Sequence, residues 1–519
     1  MARHAAAVRL PDDLAQCHAL IGEMAATIRI QELEKARLAH RLDCLLRRVY
    51  GRSSEKVDPA QLLLFAAEAL AAVGAQAPQA VEAEPESKPA KRGHGRRKPP
   101  AELPHLPVEH PVAESEKVCA ECGAQKKRIG QKVTEQLEYA PASLFVIDHI
   151  RPVLACPCCQ EGVTVAPKPA QPIEKGLPGP GLLAQVVVAK YADHLPLHRQ
   201  EGIFARHGAQ ISRRTMCDWV LAGAKILEPV VELMKSRTLA SKVVHTDDTP
   251  VDVRGPCGNY QGRFWAYLGD WANPYTVYDF TPSRRRDGPA AFLRDFTGTQ
   301  ENPRYLQADA FGGYDGIYAS GNNVMEVACW AHARRKFKEA ATSDVVRAHQ
   351  MLAWIAVLYG VERDAKELDA KGRRELRQAR SKPLLETMGE WLEAQRGRVL
   401  PKSPIGGAVT YALNQWAALL RHLDDGELAI DNNAAENALR GIALGRKNYL
   451  FIGSEQGGRA AAVHYSLVRS AKRHGLDPFA YLRDLFLRIP THPNRDLHLL
   501  LPDNWKREIL PTLEFPPRP

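Results

Sequence analysis

No apolar run of about eighteen residues or more occurs in this chain, which excludes a helix of the membrane-crossing kind from the expectations. The first residues, MARHAAAVRLPDD, hold no apolar core of the signal-peptide type. A cytoplasmic location is therefore expected, and a reducing compartment argues against a disulfide framework for the ten cysteines. No G-x-x-x-x-G-K-[ST] loop is present to cradle nucleotide phosphates, so no nucleotide cofactor is expected. An acidic surplus is also missing: 70 Lys and Arg stand against 60 Asp and Glu, for a formal charge of +10. That balance suits a polyanionic partner, because Lys and Arg that neutralise phosphates release condensed counterions.

The 519 residues are too many for one core, and a hydrophobic content of 45% is that of a folded chain, so several domains are expected. Leu14, Ile21, Ile28, Leu42 and Val49 share one heptad position, and Cys17, Met24, Leu38 and Leu45 share another. This is a coiled-coil seam over 1–51, interrupted by Gln31 and Lys35 as register-fixing polar residues often do, and it predicts a homo-oligomer. Region 52–107 reads as a short helix at 60–73, then a Pro-rich linker with the run KPAKRGHGRRK from Lys88. That run is either a solvated linker or an arm for a minor groove.

Four cysteines form a pattern within 108–175. Cys119-Ala-Glu-Cys122 and Cys156-Pro-Cys-Cys159 are two knuckles of the kind that hold tetrahedral Zn²⁺ by thiolates, with Cys158 as the rival to Cys159. Region 176–240 then reads as helices. In the last of them Ser212 is a plausible N-cap, and Arg213, Arg214 and Thr215 fill the first turn, as in a helix-turn-helix element; a plain helical bundle is the alternative. From 241 the period changes. Stretches 243–253, 262–269 and 275–280 alternate like hairpin strands, followed by a helix near 289–296 and a strand at 305–309. Three antiparallel strands, a helix and a further strand are the start of an RNase H-like fold, which brings the ends of its first and fourth strands together.

Three acidic stretches carry the chemistry: HTDDTPV around Asp247, LQADAFGGY around Asp309 and DNNAAENALRG around Glu436. Carboxylates are natural ligands of hard cations, and two such ions can steady both oxygens of an in-line phosphoryl transfer. Asp247 and Asp309 are expected late in strands and Glu436 in a helix over 434–444. Side chains alternate along a strand, so only one of Asp247 and Asp248 should face the site. The bland alternatives are turn or solvent roles for the aspartates, and for Glu436 a capping partner of Asn433 paired with Arg440.

These stretches, together with CWAHARRKF and the long ordered run IDNNAAENALRGIALGRKNYLFIGSEQGG, closely resemble the DDE-type transposases of the insertion-sequence-66 family of bacterial mobile elements. The likeness covers nearly the whole chain. It implies that the catalytic, metal-holding acids are Asp247, Asp309 and Glu436, although Asp248 stands where the family usually has Glu. It also implies two Mg²⁺ or Mn²⁺ ions, structural zinc on Cys119, Cys122, Cys156 and Cys159, and accessory proteins of the same element. A helical insertion at about 330–425 is implied within a catalytic domain spanning 241–485, leaving 486–519 as an extension. The expected architecture is thus a multidomain α/β chain, with an RNase H-like core preceded by coiled coil, zinc segment and helix-turn-helix-like helices. Cys329 and His332 form a C-x-x-H pair that recurs near the second acid of several such enzymes; a packed Cys with a hydrogen-bonded His is the alternative. Arg213, Arg214, Arg440, Arg446 and Lys447 are the expected DNA contacts. The expected activity is cleavage and transfer of DNA strands at element ends and into target DNA, with a hydrolytic endonuclease or a silent DNA-binding regulator as alternatives.

Overall fold

The structure, a computed structural model, describes residues 178–256, 258–319 and 321–512, together with Gln31, Leu144, Val146, residues 170–174 and two short strands. The heptad seam positions, the basic linker and Cys119, Cys122, Cys156 and Cys159 lie outside the described residues. The short strands β1 (Val153–Leu154) and β2 (Thr164–Val165) pair antiparallel, with Val153 opposite Val165.

Helices α1 (Pro180–Tyr191), α2 (Leu197–Arg206) and α3 (Arg213–Leu239) follow. Proline opens α1, where its missing N–H is no loss. The turn between α2 and α3 passes through Gly208 at φ +85°, a conformation that glycine adopts without steric cost. Ser212 caps α3 as expected, its Oγ accepting the Thr215 N–H at 3.1 Å. This helix runs twelve residues past the expected end at 227, straight through Pro229. The lost backbone hydrogen bond is outweighed because Leu227, Val230, Val231 and Met234 are all buried along one face.

A five-stranded mixed sheet forms the centre, in the order β5-β4-β3-β6-β7. Strands β3 (Val243–Gly255), β4 (Gly258–Leu268) and β5 (Thr276–Thr281) make an antiparallel meander; β6 (Arg304–Gln307) lies parallel to β3, and β7 (Val324–Val327) parallel to β6. Short helices α4 (Asp287–Phe292) and α5 (Asp315–Tyr318) precede β6 and β7. Two expectations need correction. Asp247 is in the first half of a long strand rather than late in it, and Asp309 lies just beyond β6, which stops at Gln307. Strand β7 has no counterpart in the sequence reading, since four residues, Val-Met-Glu-Val, are too short to show a period.

The helical stretch after β7 consists of α6 (Trp330–Ala340), α7 (Val345–Asp364), α8 (Ala370–Arg396), α9 (Pro404–Asn414) and α10 (Trp416–Leu420). It buries an apolar core of its own around Trp330, Phe337, Ile355, Met388 and Val409. Helices α11 (Asn433–Tyr449), α12 (Glu455–Arg473) and α13 (Pro478–Arg488) return to the sheet. There a single core joins Val186 of α1 and Leu227 of α3 to Val244 and Trp265 of the sheet, and to Ile442, Val468 and Leu485. Strand β5 is an edge, and α12 covers it. Ser466 Oγ accepts the Tyr278 N–H at 2.8 Å, while Ser470 Oγ accepts the Thr276 N–H and donates to the Thr276 carbonyl, both at 3.0 Å. Backbone groups that would otherwise invite another strand are thereby satisfied.

Candidate active site

The parallel register of β3 and β6 decides where the first two acids meet. His245 pairs with Gln307, so Asp247 and Asp309 each lie two residues beyond a matched pair, level with one another on neighbouring chains. Glu436 approaches from the first turn of α11, near enough for its charge to act on Asp247.

What docks that helix is Asn432, fully buried at its N-cap. Asn432 Nδ2 donates to the Thr246 carbonyl at 2.8 Å, which leaves Oδ1 to accept from His245 Nδ1 at 3.2 Å and so assigns the histidine proton to that nitrogen. The Asn432 N–H donates to Cys329 Sγ at 3.1 Å. From β6, Gln307 Nε2 donates to the carbonyls of Ala429 and Asp431 at 2.7 and 3.1 Å. Asp431 in turn accepts the Tyr359 hydroxyl at 2.8 Å and Asn433 Nδ2 at 2.7 Å. The segment DNN is therefore a clamp that ties the start of α11 to two strands and to α6 and α7. It is not the Asn433 capping arrangement that the spacing suggested, since the cap residue is Asn432 and its side chain is used on β3.

Electrostatics separates the two adjacent aspartates. The Asp248 side chain, 2% exposed, is paired with Arg263 and with Arg284, both at 2.8 Å. Among the described residues no cation pairs with Asp247 in this way. Burial, and next the charge of Asp309, push its carboxyl up to about 7; Asp248 and Glu436 add to the rise, and a 2.8 Å hydrogen bond from the Asp248 N–H opposes it. Burial also raises Asp309, against the pull of Arg284, whose guanidinium lies 3.4 Å from its carboxylate, and of His332. Arg284 in addition stacks over the Phe311 ring, 4.2 Å from its centroid.

Glu436 Oε1 is buried without a hydrogen-bond partner among the described residues; His332 Nε2 stands 3.7 Å from it, and Arg335 lies 3.9 Å from Oε2. Burial holds His332 below the usual histidine range against the opposing charge of Glu436. The C-x-x-H pair thus divides. His332 faces the acid, whereas Cys329, its thiol pushed up to about 11 by burial, braces the N-terminus of α11.

An all-oxygen donor set, with one buried carboxylate oxygen lacking a hydrogen-bond partner among the described residues and one carboxyl forced up by burial and by a neighbouring carboxylate, fits a hard divalent metal. Among the described residues no three His, Cys, Asp or Glu side chains close around a common point, so what the acids share here is electrostatic influence.

The remaining expected residues are dispersed. Arg213 and Arg214 are exposed in the first turn of α3, the Arg213 N–H donating to Glu201 Oε1 at 3.1 Å. Arg440 and Lys447 are exposed on α11. Arg446 is turned inward, donating to Thr249 Oγ1 at 2.9 Å and to the Pro250 carbonyl at 2.6 Å, and so fastens α11 to β3. Arg263, Arg284, Asn432 and Gln307 did not stand out in the sequence. Gln307 and Asn432 lie inside the acidic stretches themselves, and the run Arg284-Arg-Arg after β5 was the available signal for Arg284.

The model of the family described as Transposase IS66 family matches residues 175–460, over half the chain and enclosing all three acids. The chain belongs to that family. Other parts of the IS66 transposase pattern match as well: its zinc-finger binding domain at 116–160, its C-terminal element at 466–502, and a segment described as Transposase C of IS166 homeodomain at 37–110. Three uncharacterized proteins of Sinorhizobium fredii (strain NBRC 101917 / NGR234), y4hP, y4jD and y4qI, are each 34% identical to this IS66-family chain, over 430, 422 and 423 residues. Those matches span 78% of this chain and 76%, 81% and 77% of the relatives. A solved structure, the Drosophila P element transposase strand transfer complex, matches at 11% identity with a TM-score of 0.32, over 57% of this chain and 93% of that one; a score so low lends no weight to the fold. Divalent metal use is what the family implies for the acidic site, and zinc what it implies for 116–160. Among the described residues no helix is long and apolar enough to cross a membrane.

Proposed function

We propose that this IS66-family chain cuts DNA at the ends of a mobile element and joins the resulting 3′-hydroxyls to target DNA, with Asp247, Asp309 and Glu436 as its metal-holding acids. The observation that carries the reading is the matched placement of Asp247 and Asp309, each two residues past the last β3–β6 pair, with the Asp247 carboxyl driven up by burial and next by the charge of Asp309. The strand order, three antiparallel strands followed by two parallel ones with Asp247 on the first and Asp309 just past the fourth, supports an RNase H-like core.

Bound by these oxygens, two Mg²⁺ or Mn²⁺ ions would supply Lewis-acid chemistry on a phosphodiester. The chain's own groups do the rest. Arg284, held by Asp248 and by the Phe311 ring, sets a positive charge beside Asp309 where a phosphate would enter. His332, held below the usual histidine range by burial, stands with its Nε2 3.7 Å from Glu436 Oε1. Element ends can be found by selecting, from the DNA flanking the gene, the fragments that the purified protein binds. Given such ends already cut to expose a 3′-hydroxyl, the protein should join them to a plasmid in Mg²⁺ and not in EDTA. Hydrolysis of ends without any joining would replace this reading by that of an endonuclease.

The family match at 116–160 encloses Cys119, Cys122, Cys156 and Cys159, and supports structural zinc on those four thiolates. Protein purified under reducing conditions should carry about one zinc per chain, and Cys122→Ser should lose it together with local stability, since metal binding by such a segment is part of its folding free energy. Metal analysis that finds no zinc in the reduced parent protein would refute the assignment.

A further inference from the structure

Helix α11 ends in a strained turn. Leu450 sits at φ 64° and ψ −46°, in the half of backbone space that bulky residues rarely enter. The Phe451 N–H donates to the Tyr449 carbonyl at 2.7 Å, closing a three-residue turn of the rarer, strained hand. Two anchors impose it. On the helix side the Leu450 N–H donates to the Arg446 carbonyl at 2.9 Å. On the other side Ile452 is stitched to β3: its N–H donates to the Asp252 carbonyl and its own carbonyl accepts the Arg254 N–H, both at 2.8 Å. The chain must reverse within Leu450 and Phe451 before it reaches Ile452, and the positive φ falls on Leu450, a position at which glycine would be unstrained.

Instead a leucine stands there, and packing gives no reason for it. The residue is 67% exposed, beside Phe451 at 36% and near the end of a helix that also exposes Leu444 at 46%. The surroundings are cationic. The Arg254 guanidinium lies over the Phe451 ring, 4.1 Å from its centroid, and Arg440 and Lys447 are exposed on α11; the acids Asp252 and Glu455 are fewer, and Glu455 is paired with Arg459. Residues 436, 440, 444 and 447 recur at spacings that place them along one face of the helix. A track that starts at Glu436 therefore passes Arg440, Leu444 and Lys447 before it reaches Leu450. At about 1.5 Å per residue it is roughly 21 Å long, or about six nucleotide steps of duplex at ~3.4 Å each.

We propose that Leu450, with Phe451 beside it, is an apolar wedge that enters between bases of DNA lying along α11, unstacking the duplex about six base pairs from the reacting phosphate. The wedge rests on the proposed function for its DNA partner, and on Glu436 only for that distance. Strain held at an exposed apolar tip between two backbone anchors is the arrangement expected of a rigid element that must not fold back when it meets stacked bases.

The test uses the full chain in Ca²⁺ or EDTA, to prevent cleavage, with two fluorescein-labelled duplexes of one sequence: one fully paired, the other carrying a short mismatched bubble. The parent should bind the bubble duplex about tenfold more tightly, because the unstacking is already done. Leu450→Ala and Leu450→Gly should bring that preference to within about twofold while leaving affinity for the paired duplex nearly unchanged, since phosphate contacts supply that term. Leu450→Gly should unfold at the same or a higher temperature than the parent, because glycine relieves the turn, which separates a lost wedge from a lost fold. A parent that binds and joins DNA without preferring the bubble, or a Leu450→Gly variant that keeps the preference, overturns the wedge alone. A parent that binds neither duplex overturns both the wedge and the proposed function. A variant that keeps the bubble preference but loses self-association would identify the patch as a protein contact, and the wedge would be wrong.

Discussion

Asp247→Asn should abolish Mg²⁺-dependent strand cleavage and at the same time make the metal-free protein more stable above pH 7. Both effects have one origin. The Asp247 carboxyl titrates at about 7 in the folded chain, pushed up by burial and by Asp309, against roughly 3.9 when unfolded. Between these two values the folded form holds a proton that the unfolded form has released. Stability therefore falls as pH rises from about 4 to about 7 and is level beyond, the full cost being on the order of 4 kcal/mol as an upper figure. Asparagine carries no such cost. The variant's melting temperature should exceed the parent's at pH 8 and approach it near pH 4, and Mg²⁺ should raise only the parent's. Cleavage should drop by more than about 100-fold, the loss that even outer-shell partners of a metal can cause, because a neutral amide is a poor ligand for a hard cation. If Asp247→Asn cleaves normally and Asp248→Asn is dead, the roles of the neighbours are reversed despite the two arginines that already pair Asp248.

Arg377→Met should cost about 3–5 kcal/mol of stability, the range for breaking a buried pair from one side. Arg377 is 1% exposed inside α8. Its Nε and Nη2 grip Glu362 of α7 at 2.8 and 2.6 Å, and its Nη1 donates to the carbonyls of His422, Leu428 and Asp425 at 2.7, 2.9 and 3.2 Å. Those carbonyls belong to the chain that leaves the helical stretch and runs to Asn432 and Glu436, so cleavage should weaken too. Lysine should not rescue, since it lacks the planar fork that serves both sets of partners. Arg377→Met with Glu362→Leu should recover part of the loss by removing the orphaned charge. Urea unfolding that shows less than about 1 kcal/mol for Arg377→Met would mean that this arginine does not anchor the return to α11.

Much of this was readable in one dimension because it depends on neighbours in the chain. Ser212 sits where a cap is needed and caps. The strands from 243 onward show the two-residue alternation of half-buried sheet, and the sequence HTDD alone requires that Asp247 and Asp248 face opposite ways. The helix that carries Glu436 is legible from its alanines, although it extends five residues past the expected 444 because Ile442 and Gly445 are buried against the body. Where local signals were weak or misleading, packing won. Pro229 does not end α3, and the four residues of β7 form a strand because β6 offers them a parallel edge.

By itself, then, the sequence determined most of the element types and the membership in the IS66 transposase family, and it offered the three acidic stretches proposed above as metal ligands. Only the tertiary structure decided which side chains are occupied. Arg263 and Arg284 reach Asp248 across 15 and 36 residues, Arg446 is drawn inward to Thr249 and Pro250, and Asn432 joins segments that are 103 to 187 residues apart. A charge is free or paired according to what lies within a few ångströms of it, and spacing along the chain does not carry that distance until the sheet register and the helix docking have been set.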